Sequence, residues 1–174
     1  MNNNEYFSIN DTIEDNVPII LEEGDYTFQV VGMDLNERFR GSQKIQPCDM
    51  VVAHLLVHAK EGRVLLKEQF IFYKPLAWKI FAFFRCLGLI RPDKPASTMP
   101  WTCAQGCWGK AHIVKRSYYT NQNEERFINN VDKWIMADAK VIQTNQKAIE
   151  LAEKALANPQ PIQTQPDNDD DLPF

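Results

Sequence analysis

Three stretches of the chain interleave cations with aromatic rings. They are Arg38, Phe39, Arg40 and Lys44; Lys67, Phe70 and Tyr73; and Trp108, Lys110, Lys115, Arg116, Tyr118 and Tyr119. A cation can hold a phosphate, and a ring offers a face on which a base stacks for about 1–3 kcal/mol. Together they are the chemistry of a groove for single-stranded nucleic acid, one that needs no particular sequence. A ring on an alternating strand can equally fill a core, so Phe70 and Trp108 each carry a structural reading beside the binding one. Trp78, Phe81, Phe83 and Phe84 read as core.

Other chemistry finds less support. Cys103 and Cys107 have C-x3-C spacing, and His54 and His58 share a strand face, but no second paired knuckle completes a zinc site. Cys107 and His112 are five apart, which on a strand puts them on opposite faces, so they do not make a nucleophile and base. No GxxxxGK[ST] or GxGxxG run is present, and the body has no carboxylate cluster for a metal. No catalytic residue, metal or cofactor is expected.

The elements that must position the rings and cations follow from hydrophobic periodicity. Tyr26, Phe28 and Val30 alternate with polar residues as a first strand. The stretch from Leu35 to Pro47 is polar and cationic, and reads as a binding loop. Asp49 to His58 and Arg63 to Tyr73, joined at Glu61-Gly62, read as a hairpin of strands two and three. From Pro75, Leu76, Ile80, Phe83, Phe84 and Leu87 recur at helical spacing until Gly88. Pro92, Pro95 and Pro100 make the next stretch a loop, followed by strands at Cys107 to Tyr119 and Glu125 to Ile135. Ala137 to Ala157 has no Gly or Pro and predicts one terminal helix.

Three strands, a helix and two strands, with a long loop after strand one, is the element order of an oligonucleotide-binding (OB) fold. The expected fold is therefore mainly β, a five-stranded OB barrel with a helix between strands three and four and a C-terminal helix. The expected organisation is a flexible acidic arm over 1–18, the OB domain over 19–136, the helix over 137–158, and a disordered linker with an acidic tip over 159–174.

Charge divides along the same lines. The whole chain has a net charge of −4, against a nucleic-acid partner at first sight. Yet Met1 to Glu23 holds six acids and no Lys or Arg, and Pro159 to Phe174 holds four Asp and no base. The intervening body carries 13 acids against all 19 bases. Four cysteines are too few for a disulfide scaffold, and the polar, acidic start does not read as a signal peptide, so a cytoplasmic location is expected. The apolar stretch 71–90 contains Lys74, Pro75, Lys79 and Arg85 and does not read as a membrane span.

The chain ends in Asp169, Asp170, Asp171, Leu172, Pro173 and Phe174. The ring and terminal carboxylate of Phe174 suit an apolar pocket with a basic rim, and the Asp run suits that rim. This tip resembles that of bacterial single-stranded DNA-binding proteins, which end in several Asp followed by Ile-Pro-Phe, with Leu172 in place of Ile. The resemblance implies a docking peptide for replication, recombination and repair proteins such as a helicase, primase, polymerase or nuclease. The body resembles an uncharacterised family of phage proteins from replication modules, in Leu21–Phe28, in Gly41-Ser42 leading to Pro47-Cys48, and in Phe84–Gly88. That likeness implies a phage replication or recombination role in the bacterial host cytoplasm and adds no catalytic residues.

The function expected from the sequence is thus a non-enzymatic protein that coats single-stranded DNA and recruits partners through its tip, with a homo-oligomer compatible with the terminal helix. The rival from another class is an interaction adaptor of the replication module that does not itself bind DNA. A nuclease would need a metal cluster that the sequence does not offer.

Overall fold

Inward Val51, Ala53, Leu55 and Val57 alternate with His54, Leu56 and His58, and this period of two builds the centre of a sheet. A computed structural model describes residues 18–93 and 98–158. The expected arm apart from Pro18, the linker and the tip lie outside them. The strands are β1 (Gly24–Phe39), β2 (Cys48–Ala59), β3 (Gly62–Ile71), β4 (Trp108–Tyr119) and β5 (Glu125–Ile135). The helices are α1 (Ala77–Cys86), entered through a 3-10 turn at Lys74–Leu76, then α2 (Ala139–Thr144) and α3 (Gln146–Ala157).

The sheet runs β3-β2-β1-β4-β5, every neighbouring pair antiparallel. One face carries the core, with Phe28, Val30, Phe70, Ile113 and Trp134 against Phe83, Phe84 and Leu87 of the helical side. Gly109 belongs to this face because a Cβ there would stand 2.6 Å from the Phe28 ring and 2.9 Å from Cys86 Sγ.

The expected barrel does not close. β3 and β5 are the two ends of the sheet, and no ladder joins them. The seam is filled by side chains and by α1. The Phe83 ring lies 4.7 Å from Phe70 on β3 and 5.1 Å from Trp134 on β5. Lys79 Nζ donates to the Gln69 main-chain oxygen at 3.0 Å and pairs with Glu68 at 2.7 Å, so the helix covers the free edge of β3. Glu68 occupies a core-facing position opposite Ala53, and Lys79 is the partner that a buried carboxylate requires.

Two further expectations are corrected. The polar stretch after Leu35 is not all loop: β1 continues to Phe39, paired with β2 as far as Cys48. Register shifts at Val30/Gly32 and Asp34/Glu37 break the alternation, and β1 has here run past β4, whose last partner on it is Gln29, so Asp34 to Arg38 are exposed whichever face they take. The terminal helix is two helices, interrupted at Asn145. Its buried carboxamide accepts from Trp108 N at 2.8 Å and donates to the main-chain oxygens of Leu87 at 2.9 Å and Trp108 at 2.7 Å. Those tertiary bonds fix the chain where propensity alone would continue the helix.

Among the aromatics expected in the core, Phe83 and Phe84 are fully buried and Phe81 is half-buried. Trp78 is 63% exposed, because it lies on the side of α1 turned away from the sheet. Among the described residues no helix is long and apolar enough to cross a membrane.

Candidate nucleic-acid interface

Pairing register decides which of the expected site residues share a surface. On the outer face of the sheet, β3 presents Arg63, Leu65 and Lys67, opposite His58, Leu56 and His54 of β2. Thr27 and Gln29 of β1 continue those rows to Lys110 and Trp108 of β4. Trp108 is half-buried there, its ring 5.1 Å from the His58 imidazole. Lys67, Trp108 and Lys110 are thus brought onto one face, beside Arg63, His58 and a Leu65 that is 54% exposed.

Phe70 does not join them. It stands three residues from Lys67 on β3 and therefore points the other way, 1% exposed, packed on Phe83, Trp101 and Trp134. It is a core ring and, contrary to the expectation from sequence, offers no stacking surface. Tyr73, beyond the end of β3, is exposed and lines an apolar groove of about 230 Å³ with Phe72 and Trp101.

β4 and β5 run on together past the sheet. The β1–β4 ladder ends at Gly24 opposite Ile113, whereas β4 pairs with β5 as far as Tyr119 opposite Glu125. The result is a two-stranded arm whose turn is held by Thr120, with Asn123 at φ 61°. Alternation splits the expected cluster between its two faces. Arg116 and Tyr118 extend the outer face, together with Ile128 and Arg126 of β5. Lys115 and Tyr119 lie on the core-side face, where Lys115 Nζ sits 4.1 Å over the Phe127 ring. From Trp108 to Tyr118 the outer face of β4 forms one line about 33 Å long.

The first cluster sits at the opposite end of β1, on the tip of the β1–β2 hairpin. Arg38 Nη1 donates to Asp49 Oδ1 at 3.1 Å across the two strands, Phe39 closes β1, and Arg40 is exposed. Lys44 lies in a turn where Ser42 Oγ accepts from the amides of Lys44 and Ile45, and where Gly41 takes φ 101°.

Several of the cations have partners. Lys110 pairs with Asp138 at 2.5 Å, and Arg116 approaches Asp132 at 3.9 Å. Between them, His112 is held by Asp25 at 2.7 Å and Glu23 at 3.3 Å, and these hydrogen bonds raise its pKa above the ordinary imidazole value. Exposed pairs of this kind contribute little to stability and are open to competition by a phosphate.

Cys103 and Cys107 are reduced, and Cys107 Sγ donates to the Cys103 main-chain oxygen at 3.3 Å. Burial pushes the thiols of Cys86 and Cys107 up to about 12, so both are protonated at neutral pH. Among the described residues no three His, Cys, Asp or Glu side chains cluster as metal ligands.

Arg63 and Leu65 on the sheet, with His58 as a neighbour of Trp108 and not a metal ligand, and Arg126, Phe127 and Ile128 on the arm join the expected residues. The signal for the first three was present in the alternation of β2 and β3, but the register that sets His58 opposite Arg63 is needed to see them as one surface. No family model matches the chain, and no curated protein matches it.

Proposed function

We propose that the chain is a phage-encoded single-stranded DNA-binding protein that coats exposed strands in the host cytoplasm during DNA replication, recombination or repair. The observation that carries this reading is the continuous outer face on which Arg63, Lys67, Lys110 and Arg116 alternate with Trp108, Leu65 and Tyr118. Cations on such a face hold the backbone while rings and apolar side chains meet the bases.

The body is read as OB-like. The strand order and the helix between β3 and β4 suit a partly open five-stranded barrel whose last seam is packed with rings. The tip Asp169–Phe174 is read as the docking peptide for replication, recombination or repair enzymes. Its four nearby Asp also compete with DNA for the cations of the outer face.

The test is a titration of the intact and the tip-deleted protein with a labelled single strand and the matching duplex, each at low and moderate salt. Preference for the strand, a steep salt slope, and tighter binding after tip deletion at low salt are expected. No strand binding by either form overturns the reading in favour of an adaptor that works through its tip.

A further inference from the structure

We propose that the core-side face of the β4–β5 arm is the docking surface for the chain's own acidic N-terminal segment, residues 1–17. This inference is independent of DNA binding, which is assigned to the opposite face of the same arm.

Lys115, Ser117 and Tyr119 of β4 face the same way as Glu125, Phe127 and Asn129 of β5. Lower down, the same face is core, with Ile113 opposite Val131. Past Ile113, no strand or helix covers it among the described residues, and Phe127 and Tyr119 are 40% and 65% exposed. A two-stranded ribbon is marginal in water unless something packs on it. Arg116 and Arg126, on the other face, have Asp132 and Glu124 near them. Lys115 has no carboxylate partner among the described residues, only the Phe127 ring beneath it.

The described start of the chain lies against this face. Asn129 clasps it there: Leu21 N donates to Asn129 Oδ1, and Asn129 Nδ2 donates to the Ile19 main-chain oxygen, both at 2.8 Å. Leu21 itself is buried in the core, which anchors the clasp. Asn129 lies directly opposite Lys115 and two residues from Phe127 on the same face. Residues 1–17 carry Glu5, Asp11, Glu14 and Asp15 with no Lys or Arg, and offer Tyr6, Phe7, Ile9, Ile13 and Val17. Their charge complements Lys115, and their apolar side chains complement Phe127 and Tyr119. The arm extends only about 13 Å from Asn129 to Glu125, well within the reach of 17 residues. Tethering at Ile19 supplies an effective concentration in the millimolar range, so weak contacts suffice.

Hydrogen exchange at low salt and low protein concentration tests the proposal. The full chain is compared with a chain beginning at Pro18, and the Gly24–Gln29 ladder amides serve as the internal measure of an intact sheet. Amides of residues 115–128 are expected to exchange at least about ten-fold faster in the truncated chain, and a peptide of residues 1–17 added in trans is expected to slow them again. A full-length variant with Glu5→Gln, Asp11→Asn, Glu14→Gln and Asp15→Asn is expected to behave like the truncation, which keeps the test valid if the shortened chain folds poorly. Equal exchange in all three chains overturns the proposal. So does protection that survives truncation and grows with protein concentration, which assigns the face to a second copy, or protection that appears only with an oligonucleotide, which assigns it to DNA.

Discussion

Lys110 Nζ stands 2.5 Å from Oδ2 of Asp138, whose other oxygen accepts from Val141 N at 2.9 Å. One carboxylate therefore caps α2 and neutralises a cation of the outer face. The hydrogen bonds from Lys110 and Val141 hold the Asp138 carboxyl below the usual carboxylate range. A depressed pKa contributes stability above the unfolded value near 3.9, and that contribution is lost as pH falls through the lower folded value. Asp138→Ala is expected to lower the thermal midpoint at neutral pH, with the gap to the parent closing in acid. A gap that stays constant down to about pH 2 would show that the cap is not electrostatic.

Asn145 is the second joint between the terminal helices and the sheet. Asn145→Ala leaves the Trp108 amide and the Leu87 and Trp108 carbonyls without their partner. The expected loss is roughly 3 kcal/mol in urea unfolding. A loss below about 0.5 kcal/mol would mean that water replaces the carboxamide at no cost.

Lys67 and Phe70 provide a matched contrast on one strand. Lys67→Ala is expected to leave the unfolding midpoint nearly unchanged and to reduce the salt slope of single-strand binding by about one. Phe70→Ala opens the ring cluster of the seam and is expected to cost about 3–5 kcal/mol of stability. Trp108→Ala should weaken strand binding by about 1–3 kcal/mol if its ring stacks a base. Undiminished affinity in both Lys67→Ala and Trp108→Ala would remove the sheet face from the interface.

His112 gives the outer face a pH dependence. Its pKa is raised by hydrogen bonds to Asp25 and Glu23, so its contribution is complete below the unfolded value near 6.5 and fades as pH rises through the raised folded value. The stability difference between the parent and His112→Asn should be largest in mildly acidic solution and vanish in alkaline solution. Imidazole titration by NMR should show a raised midpoint for His112 that drops in Asp25→Asn. An unshifted midpoint in the parent contradicts the assignment.

The strands were legible because residues such as Val51, Ala53, Leu55 and Val57 alternate wherever one face is dry. Legibility failed where that condition failed. Asn36 to Arg38 belong to a strand with both faces in water, and the helix break at Asn145 depends on carbonyls 37 and 58 residues away. The site was legible by residue type but not by surface. Lys115 and Arg116 look equivalent in sequence, yet one residue of register sends them to opposite sides of the arm, just as three residues separate Lys67 outside from Phe70 inside.

The side-chain seam between β3 and β5 bears on how this architecture can vary. In a hydrogen-bonded barrel the circumference is fixed by strand number and stagger, so a change in girth demands a coordinated shift of pairing all round. Here Phe83 and Trp134 act as the spacer, 5.1 Å apart. A single substitution at either position can widen or narrow the gap while all four ladders keep their register. The curvature of the outer face is thus adjustable one residue at a time.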